Sequence, residues 1–186
     1  MIKEQILQLE NSRPKVYAAL QVFMGSLFIA TLAQVAIPLN PIPMSLQTLG
    51  VFLLPLFLEK RRAATALLLY LIEASLGLPV LAGMKANPFW LFGPTAGYLI
   101  SFPAAAYSIG WLLERKRGPA FLWTGFSLLA GQAMIYGSGV SCLALMVGWK
   151  AAFLSGCLPF IFVDAYKIGL ALVLLKGVMP NKKTNS

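Results

Sequence analysis

The sequence predicts an all-α integral membrane protein of six transmembrane helices, with both termini on the cytoplasmic side. Three observations carry that prediction. Apolar residues make up 59% of the chain and charged residues only 11%, with a mean hydropathy of +0.77, far from the balance of a soluble domain. Apolar runs of helical length recur six times along the 186 residues. The basic residues alternate with them. Lys3, Arg13 and Lys15 precede the first run, and Lys60, Arg61 and Arg62 follow the second. Arg115, Lys116 and Arg117 follow the fourth, and Lys176, Lys182 and Lys183 end the chain. These twelve of the fifteen basic residues sit in alternate connections, the positive-inside pattern. The net charge of +9 therefore reports membrane orientation and not nucleic-acid binding.

The organisation expected is a cytoplasmic leader at 1–15, a membrane domain at 16–177 and a cytoplasmic tail at 178–186. The leader places Ile2, Ile6 and Leu9 on one face, suited to the membrane surface or to a frayed tail. Val16–Ile37 is the first span, long enough to serve as a retained anchor in place of a cleaved signal. Its Ser26 and Ala30 form a small-x-x-x-small pair that lets another helix approach closely. Pro38-Leu39-Asn40-Pro41-Ile42-Pro43 is too proline-rich to stay helical. Ser45–Leu58 is short for a span of about 20 residues, with Ser45 placed to cap it and Pro55 to kink or end it.

Ala63–Ala82 is the third span and carries Glu73 toward its outer end. The connection Gly83–Phe92 is aromatic-rich and holds Lys85 and Asn87, while Gly93-Pro94-Thr95 opens the fourth span, Ala96–Leu113. The fifth run, Ala120–Val147, exceeds a straight span, so either a bend at Tyr136–Gly139 or tilt is expected. Ala151–Leu158 reads as a small-residue connection into the last span.

That last span, Pro159–Lys176, contains Asp164 and Lys167 in an otherwise apolar run. A spacing of three places both side chains on one helix face. Each charge at a membrane centre costs roughly 2.5–3.5 kcal/mol on insertion scales, so the pair is expected to face protein or a polar cavity. It serves either as a structural bridge or as a grip on a small polar ligand. Running inward from Pro159, the two lie roughly 8 and 12 Å deep. Gln47, Glu73, Lys85, Asn87 and Tyr98 fall in the same outer half or its loops. Polar groups gathered at one depth from several helices predict a pocket open to the outside, suited to a neutral heteroatom-rich ring on an apolar arm. With no histidine and no C-x-x-C spacing between Cys142 and Cys157, neither a metal, a cofactor nor a disulfide is expected, and hydrolase chemistry is disfavoured. No G-x-x-x-x-G-K-[ST] phosphate loop is present, so the chain carries no ATPase of its own.

The segments PLNPIPMSLQTLG (38–50), GLPVLAG (77–83), FGPTAGYLISFP (92–103) and LPFIFVDAYK (158–167) occur in this order. Together they resemble the BioY family, the biotin-binding S component of energy-coupling-factor (ECF) transporters. The resemblance implies that Asp164 and Lys167 bind the ureido end of biotin, with Gln47, Asn87 and Tyr98 as further contacts. Glu73 departs from the family, which is usually apolar or small there. The resemblance also implies a membrane coupling subunit and cytosolic ATPase subunits as partners, and Ser26 and Ala30 offer these a docking face. The function expected is biotin capture from outside and uptake across the cell membrane, with no enzymatic activity. The alternatives are an S component for another vitamin such as riboflavin or thiamine, a membrane-embedded enzyme, and a channel-like subunit. A channel would spread polar residues through the whole membrane depth.

Overall fold

The computed structural model describes residues 13–115 and 120–178. Expectations for residues 1–12 of the leader, for Lys116 and Arg117, and for the tail beyond residue 178 lie outside the described residues, while Pro14 and Lys15 already belong to the first helix. Six main helices build the bundle: α1 (Pro14–Gln34), α2 (Gln47–Phe57), α3 (Lys60–Ser75), α4 (Ala96–Glu114), α5 (Ala120–Val147) and, after the eight-residue α6 (Trp149–Gly156), α7 (Leu158–Val178). A two-stranded antiparallel hairpin, β1 (Ala36–Ile37) with β2 (Met44–Ser45), joins α1 to α2. The proline-rich segment forms its loop, with a cis peptide bond at Asn40–Pro41.

By length and composition, four helical stretches among the described residues can cross a membrane: α1, α4, α5 and Trp149–Leu175, which comprises α6 and most of α7. Helices α2 and α3, of 11 and 16 residues, are shorter. The third span ends at Ser75, because Gly77 at φ 82° and the prolines that follow divert the chain into turns. Of the two alternatives for this long run, bend or tilt, Tyr136–Gly139 makes no break: α5 is one uninterrupted 28-residue helix. At 1.5 Å per residue it is about 42 Å long, against a hydrocarbon core of ~30 Å. Nor is 151–158 an irregular connection. Gly148, at φ 82°, breaks α5 in a conformation that suits glycine, and α6 follows at once.

The buried face of α1 is a stripe of mostly small residues, Gly25, Ser26, Ile29, Ala30 and Ala33, while Phe23, Met24, Leu27 and Phe28 point outward. Small residues permit close helix approach, and α1 packs on α3. Ser26 is fully buried and Ala30 is 9% exposed. The docking face expected there is consequently occupied by the chain itself. Helix α2 sits innermost, packed on α1, α3, α4 and α7, and eight of its eleven residues are buried. Helices α4 and α5 approach closely because Gly139 leaves room for the Tyr98 ring, which any Cβ at that position would meet.

The connections distribute to two ends. Lys60, at the start of α3, pairs with Glu114 at the end of α4. The hairpin loop, the 76–95 connection and the start of α7 meet at the other end, where they frame a cavity.

Candidate functional site

Asp164 and Lys167 lie one turn apart on α7, bonded at 2.8 Å from Nζ to Oδ1, and each is only 3% exposed. Such a pair survives desolvation only if its remaining hydrogen-bonding capacity is met. Here it is. Asp164 Oδ1 also accepts from Thr48 Oγ1 at 2.9 Å, and Oδ2 accepts from Gln132 Nε2 at 2.9 Å and Tyr136 OH at 2.7 Å. Lys167 Nζ donates further to the Ser45 carbonyl at 2.7 Å and to Thr48 Oγ1 at 2.8 Å. Thr48 therefore donates to the acid and accepts from the ammonium. The network ties α7 to β2, α2 and α5.

This cluster closes one side of a cavity of about 210 Å³. Ile42, Leu81, Trp90, Leu99, Phe102 and Phe160 supply apolar walls around it. Gln47 also lines the cavity, held rigidly: its Nε2 donates to Tyr70 OH at 2.5 Å and its Oε1 accepts from Ser45 Oγ at 2.8 Å. Tyr70 donates in turn to the Val80 carbonyl at 3.1 Å, fixing the helix end against the following turn. Tyr98 reaches the cavity with its hydroxyl committed to the Gly156 carbonyl at 2.8 Å. Lys85 and Asn87 line it from the exposed 76–95 connection, where Asn87 Oδ1 accepts from the Phe89 amide at 3.0 Å. A site with one desolvated ion pair, fixed amides and apolar walls suits a compact polar ring with an apolar extension.

Six of the seven residues singled out from the sequence line this cavity: Gln47, Lys85, Asn87, Tyr98, Asp164 and Lys167. Glu73 does not. It is buried at the α1–α3 contact and accepts from Ser26 Oγ at 2.5 Å, because α3 turns its acid toward α1 and away from the cavity. Sequence reasoning missed Thr48, Gln132 and Tyr136. The signal available was a polar pair four residues apart, Gln132 and Tyr136, on one face of an apolar helix.

The sequence profile of the BioY family matches residues 7–184. The chain belongs to the BioY family. Among its relatives, the probable biotin transporter BioY of Pyrococcus horikoshii is 34% identical over 166 residues, covering 88% of this chain and 98% of that protein. The biotin transporter BioY of Thermotoga maritima is 35% identical over 158 residues, covering 83% and 92%. In three dimensions the chain resembles the crystal structure of the S-component for biotin from an ECF-type ABC transporter. The TM-score is 0.79 at 24% identity, with 88% of this chain and 91% of that chain covered. The last likeness establishes a common fold. With its apolar helices, this BioY-family chain is a multi-pass membrane protein.

Proposed function

We propose that the chain captures biotin and takes it across the cell membrane as the substrate-binding S component of an ECF-type transporter. The observation that carries the proposal is the Asp164–Lys167 pair, desolvated and fully hydrogen-bonded beside an apolar cavity. Family membership and relatives named as biotin transporters give the chemistry of the ligand. A cyclic urea presents a carbonyl acceptor and two N–H donors, and the pair offers an ammonium and a carboxylate to meet them. Binding exchanges intramolecular partners for ligand ones, with the ring carbonyl replacing the Ser45 carbonyl or Thr48 at the Lys167 ammonium. The valeryl arm then runs along the apolar wall, and its carboxylate reaches the mouth where Lys85 stands.

The pocket end faces outward in this reading, since the basic connections lie at the other end. Energy comes from a membrane coupling subunit and cytosolic ATPase subunits, because the sequence has no phosphate-binding loop. Their docking face is elsewhere than Ser26 and Ala30, which the chain covers itself.

Titration calorimetry on the purified protein tests the ligand. Stoichiometric biotin binding is expected, with riboflavin and thiamine giving no heat. Heat from riboflavin or thiamine, and none from biotin, overturns the assignment. Orientation is tested by single cysteines at Lys60 and Ala86 in a background lacking Cys142 and Cys157. An impermeant thiol reagent on intact cells labels only the cysteine at Ala86 if the cavity opens outward, and the reverse result inverts the topology.

A further inference from the structure

Asp164 already accepts four hydrogen bonds, from Thr48, Lys167, Gln132 and Tyr136, and a carboxylate has about four lone-pair positions. A ligand N–H reaches it only by displacing one of these donors, so the two ring N–H groups cannot both rely on this acceptor. Gln132 supplies another. Its side chain is 5% exposed and borders the cavity, and its Oε1 is the one buried side-chain nitrogen or oxygen without a hydrogen-bond partner among the described residues. The amide cannot turn to relieve this. Reversing it would set a carbonyl oxygen 2.9 Å from the Asp164 carboxylate, two acceptors face to face. Asp164 thereby fixes which end of the Gln132 amide is left free, and the free end is an acceptor.

We infer that Gln132 Oε1 accepts one ring N–H of the bound cyclic urea, which makes Gln132 a specificity-determining residue for ligands carrying a donor at that position. The inference rests on the biotin reading above. No protein group among the described residues satisfies this acceptor, and a ligand donor does so. A ligand with an oxygen or an alkylated nitrogen at the same place does not. Gln132 thus selects through its free oxygen, while its amide nitrogen keeps Asp164 in place.

The test compares biotin with the two isomers in which one or the other ring nitrogen is methylated, by calorimetry on the parent and on Gln132→Met and Tyr136→Phe. In the parent, one isomer is expected to bind at least tenfold more weakly than biotin. Gln132→Met removes both the oxygen and a donor to Asp164, so it is expected to weaken that isomer by about the common factor seen in Tyr136→Phe and biotin about tenfold more. Tyr136→Phe removes a donor from Asp164 without touching the Gln132 oxygen, and weakens all three ligands by one common factor. If Gln132→Met also weakens all three alike, Gln132 acts only through Asp164 and the inference is overturned. Parent protein that binds both isomers as tightly as biotin overturns it as well, whether or not the variants fold. Absence of biotin binding by the parent overturns both the inference and the reading beneath it.

Discussion

Asp164 and Glu73 are both acids buried between helices of one bundle, and their surroundings differ in every respect that bears on function. Asp164 is held by four donors from α2, α5 and α7 and borders a cavity. Among the described residues Glu73 has a single hydroxyl partner, Ser26, at a closed contact between α1 and α3. A carboxylate with several converging donors, at least one of them able to swap partners, is equipped to exchange ligands. A carboxyl sealed between two helices is equipped to join them. The sequence assigns both to the outer half of the membrane, a criterion that does not separate them.

The largest expected effect falls on the first acid and its partner. Asp164→Asn and Lys167→Ala each leave a buried charge or donor set incompletely paired, costing on the order of 2–4 kcal/mol in binding, about 30- to 1,000-fold. Calorimetry showing parental affinity in both variants would reduce the pair to a bridge and erase the contrast with Glu73.

Next is the closed contact. Ser26→Leu inserts bulk where the parent has a fully buried small side chain, so overpacking of about 1–3 kcal/mol is expected. The melting temperature should drop, with binding and uptake falling together as the fold loosens. Unchanged stability with loss of uptake alone would return Ser26 to the role of a partner-docking residue.

Glu73→Gln is a milder probe of the same contact. It keeps an acceptor for Ser26 Oγ, so a stability change within about 1 kcal/mol and an affinity within twofold of the parent are expected. A tenfold or larger loss of biotin affinity would give Glu73 the ligand role that its position denies it.

Smallest is the mouth. Lys85→Gln should weaken biotin by roughly two- to fivefold, the scale of an exposed ion pair, and the effect should shrink as salt is raised. A salt-independent loss would place the lysine in a desolvated contact instead.

Much of this was legible in the sequence, for stated reasons. Asp164 and Lys167 stand out because a charge in an apolar run of membrane length is expensive and demands a partner. Gln47, Lys85, Asn87 and Tyr98 followed from their shared depth, and the helices from apolar runs of the right length. Glu73 met the same depth criterion and was misplaced, because depth does not tell which way around its helix a side chain points. Thr48, Gln132 and Tyr136 carry no charge, and a neutral polar group in a membrane helix often bonds its own backbone, as Thr31 does to the Leu27 carbonyl at 2.8 Å. Only the packing of α2 and α5 on α7 reveals that these three converge on one carboxylate. Helix α6 was unreadable for a different reason: eight residues supply too few turns for composition to separate a helix from a connection.

The short helix α2 has a consequence of its own. Eight of its eleven residues are buried and other helices surround it, so protein, and not lipid, is the solvent it experiences. The polarity tolerated along it is therefore limited by whether a neighbour can satisfy each group and whether the volume fits, rather than by what a bilayer accepts. Gln47 and Thr48 stand on this helix, one locked by Tyr70 and the other bridging the ion pair. Ligand preference can thus be re-engineered along α2 without altering the lipid-facing surface, a separation that the longer, lipid-exposed helices do not offer.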